Sequence, residues 1–128
     1  MTKILVVDDE EAVATLLAEH LSARGHSVSV CIDSSQAERV ALQEKHDLAI
    51  IDYAMPIKDG ITLLADLRTH EKTARMPVIF LSGTDAVRYS TQVPPEPRVR
   101  FMRKPVNMDV LAATIGELLD PESWSSAS

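Results

Sequence analysis

Five chemically active side chains stand within two residues of the ends of short apolar runs, where buried strands are expected to end. They are Asp8, Asp9, Asp52, Ser82 and Lys104. If the runs share a sheet, three carboxylates meet at one edge and repel one another unless a cation joins them. Mg²⁺ suits such a set, because it takes one or two carboxylates and keeps its other positions for water or phosphate oxygens. A carboxylate beside that ion can attack a phosphoryl group, and lysine and serine can hold phosphate oxygens. The set therefore indicates Mg²⁺-assisted phosphoryl chemistry.

Apolar runs alternate with helix-like segments along the 128 residues, which predicts an α/β doubly wound sheet. The predicted strands are Ile4–Val7, Ser27–Cys31, Leu48–Ile51, Val78–Leu81 and Val99–Met102. Three runs are continuously apolar, which is typical of parallel strands covered on both faces. The second and fifth alternate with polar residues and are expected near an edge of the sheet. In such a sheet, functional groups gather beyond the carboxyl ends of the strands.

Helix signals fill the intervals between these strands. Gly25 is expected to stop the first helix, and Asn107 to cap the last one. Ser35 with Glu38 has the spacing of a capping box and predicts the start of a helix that runs through Leu42.

The segment that begins at Asp85 departs from this alternation of strands and helices. Prolines at positions 94, 95 and 97 forbid a regular helix there, so we predict a shortened or irregular fourth helix. One domain is expected over residues 1–120, with 121–128 as a polar tail or the start of a linker.

Composition limits the classes of function. A formal net charge of −6 disfavours direct binding to nucleic acid, and the single cysteine excludes an internal disulfide. No apolar run approaches the roughly 20 residues of a membrane span, and the N-terminus lacks a signal-peptide pattern. A cytoplasmic protein without direct membrane contact is the expectation.

Four motifs in a fixed order carry a family resemblance. They are ILVVDDE in the first strand, D-x-x-M-P-x-x-D-G from Asp52 to Gly60, LSG after the fourth strand and RKP after the fifth. Together they resemble the receiver domain of two-component response regulators, of the chemotaxis-regulator kind, to about Leu119. The resemblance implies a five-stranded parallel sheet in the flavodoxin-like order 2-1-3-4-5.

The same resemblance implies a phosphorylation-dependent switch with a regulatory role, and not an enzyme. Asp52 would accept a phosphoryl group from a histidine kinase or a histidine phosphotransfer protein. By the same resemblance, Mg²⁺ (with Mn²⁺ a plausible substitute) would be held by Asp8, Asp9, Asp52 and the backbone carbonyl of Ala54. Lys104 would pair with the phosphoryl group, and the backbone N–H groups of Ala54 and Gly83 would face the phosphate. Ser82 and Phe101 would be the switch residues. It further implies a cis bond between Lys104 and Pro105, and an effector domain or partner that the sequence does not identify.

Other interpretations remain open at this stage. Taken singly, Asp8 or Asp9 could cap a helix, Asp52 could serve a turn, and Lys104 could be a solvated charge. A phosphatase with an aspartyl nucleophile often has an acid two residues later, where this chain has Ala54. A nucleotide or flavin module needs a glycine- or hydroxyl-rich loop after the first strand, and DDEE has the wrong charge. The unusual fourth segment also leaves open a receiver that binds partners without cycling.

Overall fold

The fold is a five-stranded parallel sheet flanked by helices on both faces. A computed structural model describes residues 2–55, 57–83 and 96–120. Its strands are β1 Lys3–Val7, β2 Ser27–Cys31, β3 Leu48–Asp52, β4 Val78–Ser82 and β5 Val99–Arg103. The α-helices among these residues are α1 Glu11–Ala23, α2 Ala37–Gln43, α3 Gly60–Leu67 and α4 Met108–Leu119, with a 3-10 turn at Ser34–Gln36.

The strands lie in the order β2-β1-β3-β4-β5, and all four neighbouring pairs are parallel. This confirms the predicted doubly wound fold and its 2-1-3-4-5 order. The two strands with alternating sequences, β2 and β5, are the edges, while the three continuously apolar strands are central and fully buried along their apolar residues. From β1 the chain first crosses to β2 on one side, and it then returns to β3 on the other side of β1. The strand order therefore reverses between β1 and β3, and the carboxyl ends of these two strands flank a crevice.

Alternate residues of each central strand face opposite layers of core. On β1, Ile4 and Val6 pack with α1 and α4, whereas Leu5 and Val7 pack with α2 and α3. Full burial of each such side chain stabilises the fold by about 1.5–3 kcal/mol before entropy costs are counted. The carboxyl ends of the strands, which carry the polar groups, are therefore held in place by a packed core on each face of the sheet.

Two of the three predicted helix boundaries are confirmed, and one is wrong. The side chain of Asn107 accepts hydrogen bonds from the amides of Asp109 and Val110 at the start of α4. Gly25, with φ of +94°, ends α1, as predicted. Ser35 does not cap α2 as predicted.

The side-chain cap lies two residues earlier, at Asp33, and belongs to the 3-10 turn, whereas Gln36 at the start of α2 makes no capping hydrogen bond. Its carboxylate accepts hydrogen bonds from both the amide and the hydroxyl of Ser35, which starts a 3-10 turn before α2 begins at Ala37. A carboxylate outcompetes the serine hydroxyl for the free amides, because hydrogen bonds to charged acceptors are stronger.

Two predictions lie outside the described residues. They are the irregular fourth helix within 84–95 and the polar tail at 121–128. The longest described helix, α1, has 13 residues, and none of the described helices combines the length and apolar character needed to cross a bilayer.

Candidate functional site

Three carboxylates meet where β1 and β3 end. Asp8, Asp9 and Asp52 each place one oxygen so that the three lie within 4.8 Å of one another, and we call this group the acidic pocket. Asp8 is almost fully buried and Asp52 is 5% exposed, whereas Asp9 is open to solvent. The sequence predicted this convergence from the strand ends alone.

Local hydrogen bonds fix the two buried carboxylates. Oδ1 of Asp8 accepts the amide of Glu10 at 2.9 Å, at the point where α1 begins. Oδ1 of Asp52 accepts the amide of Ala54 at 3.4 Å, so that N–H group already faces the pocket. Asp8 is therefore not the N-cap of α1, which is Glu10, and only one of its oxygens is used in this contact.

Lys104 brings positive charge to the acidic pocket from the end of β5. Its Nζ lies 3.3 Å from Oδ2 of Asp8, 3.4 Å from Oδ2 of Asp52 and 3.7 Å from Oε1 of Glu10. Burial alone would lower the pKa of Lys104, but the carboxylates of Asp52 and Asp8 outweigh it and raise that pKa. The side chain of Lys104 therefore stays protonated and positively charged at neutral pH. The predicted cis bond between Lys104 and Pro105 is present.

The charge of the pocket is not balanced by Lys104. Burial, followed by the Asp8 carboxylate, raises the pKa of Asp52 to about 7, although Lys104 opposes the change. Two acids held close together in a poorly solvated place cannot both ionise without cost.

The residues present fit a divalent cation. Oδ2 of Asp8 is buried and accepts no hydrogen bond from any residue that the structure describes, although Lys104 lies nearby. A buried carboxylate oxygen in that condition is costly unless a positive charge completes its surroundings. Three oxygen donors within 4.8 Å suit a hard ion such as Mg²⁺.

The remaining predicted residues lie on the neighbouring strands. Ser82 is buried at the end of β4, one strand from Asp52, and its carbonyl accepts the amide of Lys104 at 2.8 Å. Gly83 follows, and a Cβ placed there would meet no described atom within 4 Å. These positions put a hydroxyl and a sterically open glycine at the same ends of the strands as Asp52.

Phe101 belongs to an aromatic cluster beneath the carboxyl ends of the strands. Its ring centroid lies 5.2 Å from that of Phe80 and 6.0 Å from that of Tyr53. Tyr53 is the residue directly after Asp52, so the cluster links the acidic pocket to the edge strand β5. Phe101 packs against the core, and the sequence gave no signal for its contact with Tyr53, because that contact spans β3 to β5.

The fold and this polar edge define the receiver class of α/β domain. A model of the response regulator receiver domain family matches residues 4–116, and the chain belongs to this family.

Individual relatives agree with this assignment. The chain is 29% identical over 119 residues to the DNA-binding dual master transcriptional regulator RpaA of Synechocystis sp.. The matched region covers 93% of this chain but 49% of RpaA. The receiver domain of the hybrid histidine kinase CckA is 35% identical with a TM-score of 0.77, over 92% of this chain and 99% of that one. The chemotaxis protein CheY4 of Vibrio cholerae has a TM-score of 0.86 at 23% identity, over 93% and 99% of the two chains, and shows the shared fold alone. The chain spans about half the length of RpaA and less of several other curated relatives, such as 29% of GlrR of Escherichia coli.

Proposed function

We propose that this receiver domain is a phosphorylation-dependent switch that accepts a phosphoryl group on Asp52. A histidine kinase or a histidine phosphotransfer protein would donate the group in a Mg²⁺-dependent reaction. The observation that carries the proposal is the placement of Lys104, whose Nζ lies within 3.4 Å of both buried carboxylates of the acidic pocket. A structural ion pair needs only one of those carboxylates.

In the transfer step, a carboxylate oxygen of Asp52 attacks the phosphorus of the phosphohistidine. The new P–O bond forms as the P–N bond breaks, and the imidazole nitrogen keeps the electron pair and takes up a proton. Asp8, Asp9, Asp52 and the carbonyl of Ala54 would hold Mg²⁺, or Mn²⁺ in its place. When bound, the ion neutralises charge on the phosphoryl oxygens.

The chain's own groups would hold the product. Lys104 pairs with one phosphoryl oxygen, and the amides of Ala54 and Gly83 donate to the others. Ser82 donates its hydroxyl and moves toward the new group. The phosphoryl group itself carries about 1.5–2 negative charges, more than the single charge of the carboxylate that it modifies. These contacts therefore strengthen on phosphorylation and favour the conformation that makes them.

The aromatic cluster would transmit the change to the surface. Phe101 contacts Tyr53, the neighbour of Asp52, and is itself half-buried on the edge strand β5. A shift of Ser82 toward Asp52 would alter the space available to Phe101, and thereby change a partner-binding surface. The role is regulatory, with an effector domain or partner protein as the reader of the state.

Treatment with acetyl phosphate tests this function without any partner. Intact mass measurement should show one added phosphoryl group in the presence of Mg²⁺ and none with excess EDTA. Asp52→Asn should remain unlabelled under both conditions. Labelling that survives EDTA, or a variant that is labelled as well as the unaltered chain, would overturn the proposal.

A further inference from the structure

The loop between β3 and α3 contains a strained residue that its own side chain does not hold in place. Ile57 has φ of +72°, a left-handed conformation that is rare for a β-branched residue. Its side chain is 87% exposed, so burial contributes little to keeping this conformation. A strained backbone of this kind persists only where surrounding contacts determine it. The next residue, Lys58, makes such contacts.

Lys58 joins the loop to three other elements. Its Nζ lies 2.6 Å from Oδ2 of Asp66 on α3 and 3.9 Å from Oε1 of Glu38 on α2. Its backbone amide donates a hydrogen bond to Oγ of Ser34, in the 3-10 turn after β2, at 3.3 Å. We call this group of four residues the Lys58 network. It holds both the backbone and the side chain of the residue that follows Ile57.

The side chain of Lys58 is restrained more firmly than in an isolated surface pair. It is 24% exposed and that of Asp66 is 35% exposed, and the hydrogen bond that Lys58 donates to Asp66 raises the pKa of Lys58. Glu38 is also held through its other oxygen, because Oε2 lies 2.6 Å from Nε2 of His70. Single exposed ion pairs stabilise little, whereas several linked charges restrict one another. The network therefore restrains Lys58 from two helices.

The helix that follows the loop does not depend on Lys58. Oδ1 of Asp59 accepts the amide of Thr62 at 2.9 Å and caps the start of α3. The contacts of Lys58 instead restrain the exposed part of the loop, which contains Ala54 as well as Ile57. That part of the loop lies beside the acidic pocket.

We propose that Lys58 is a positioning residue for the acidic pocket, an inference that rests on the function proposed above. Through the Lys58 network it keeps the backbone of Ala54 beside Asp52, where the amide of Ala54 lies 3.4 Å from Oδ1 of Asp52. Lys58 itself is not among the residues assigned to the metal or to the phosphoryl group. It acts through the conformation of the loop.

A magnesium site gains from positioning of this kind. Mg²⁺ requires near-ideal octahedral geometry, so a carbonyl that samples several positions binds the ion less tightly than one that is held in place. The carbonyl of Ala54 lies on this loop, whereas the three carboxylates of the acidic pocket stand at the ends of β1 and β3. Loss of the network should therefore weaken Mg²⁺ binding and leave the carboxylates in place.

The test measures Mg²⁺ binding in variants of the network. Lys58→Met removes the charge and keeps an unbranched side chain, Lys58→Arg keeps the charge, and Asp66→Asn removes the charge of the partner. Lys3→Met is the control, since it breaks a similar pair with Glu44, at 3.1 Å, outside the loop. Amide chemical shifts in an NMR titration with Mg²⁺ give the dissociation constant. Relaxation dispersion of the Ala54 amide in EDTA reports on the metal-free loop.

Lys58→Met and Asp66→Asn should each raise the Mg²⁺ dissociation constant about three- to tenfold, less than loss of a direct hydrogen-bond partner of a metal ligand usually causes. Both should increase exchange broadening at Ala54, whereas Lys58→Arg and Lys3→Met should stay close to the unaltered chain. The double variant Lys58→Met/Asp66→Asn should lose no more than either single variant, because both changes remove the same contact. Labelling by acetyl phosphate should slow at low Mg²⁺ and recover at saturating Mg²⁺.

An unchanged dissociation constant in Lys58→Met, or an equal loss in Lys3→Met, would overturn the positioning role while leaving the proposed function intact. Additive losses in the double variant, or a loss in Lys58→Arg as large as in Lys58→Met, would overturn it as well. If urea unfolding shows that Lys58→Met does not fold, Asp66→Asn provides the same comparison. Failure of acetyl phosphate to label the unaltered chain would instead overturn the function, while the Mg²⁺ titrations still test the network.

Discussion

Nζ of Lys104 lies 3.4 Å from Oδ2 of Asp52, yet the pKa of that carboxyl is still raised to about 7. Replacing Lys104 by Met removes a cation that opposes the effects of burial and of Asp8, so we expect the pKa of Asp52 to rise further. Carboxyl carbon chemical shifts, measured by NMR against pH in EDTA, report this directly. Lys3→Met is a matched control, since Lys3 pairs with Glu44 on the surface away from the acidic pocket. A pKa of Asp52 that does not change in Lys104→Met would contradict the arrangement.

The raised pKa of Asp52 also predicts how stability depends on pH. Between its ordinary value of 3.8 and about 7, the folded metal-free protein binds a proton that the unfolded chain has released. The free energy of unfolding should therefore fall as pH rises through this window. Urea unfolding in EDTA at pH 5 and pH 8 measures the loss.

Asp52→Asn provides the control for this pH dependence. Its neutral amide cannot ionise, so at pH 8 it should be more stable than the unaltered chain by more than about 1 kcal/mol. A slope of stability against pH that is equal in the two proteins would assign the effect to other groups.

Gly60 ties the start of α3 to the strand that carries Asp52. A Cβ at this position would lie 2.9 Å from the ring of Phe80 and 3.0 Å from the backbone of Tyr53. Gly60→Ala should therefore destabilise the domain by about 1–3 kcal/mol, because the packed core must shift. Gly116→Ala is the matched control: it is helical, exposed and meets no described atom within 4 Å, so it should stabilise by about 0.5–1 kcal/mol. Denaturant midpoints that move in the same direction for both variants would contradict this account.

The left-handed conformation of Ile57 predicts a stabilising substitution. Ile57→Gly should raise the free energy of unfolding by up to about 1 kcal/mol, since glycine adopts this backbone without the clash of a branched Cβ. At Gly25, where φ is +94°, the change to Ala should instead destabilise by about 1 kcal/mol. Thermal unfolding in the presence of EDTA measures both effects, and a loss of stability in Ile57→Gly would show that its backbone is not strained.

The sequence predicted the sheet closely because burial patterns are local. The bounds of β2 were predicted correctly, and the other strands differ from prediction by a single residue at one end. The alternation of polar and apolar residues in β2 and β5 identified both edges, since an edge strand is only partly covered.

Features that depend on competition or on distant contacts were harder to predict. Both Asp33 and Ser35 can cap a helix, and only the folded backbone shows that Asp33 caps a 3-10 turn before α2. The left-handed backbone of Ile57 has no sequence signal, because an isoleucine normally indicates the opposite.

The central claim is that Asp52, and neither Asp8 nor Asp9, carries the phosphoryl group. Borohydride reduces an acyl phosphate to an alcohol, so the phosphorylated aspartate becomes homoserine and can be located by peptide sequencing in a mass spectrometer. After incubation with acetyl phosphate and Mg²⁺, we expect homoserine at position 52 alone, and none when EDTA replaces Mg²⁺. Homoserine at position 8 or 9, or trapping at position 52 that does not require the metal, would contradict the proposed site.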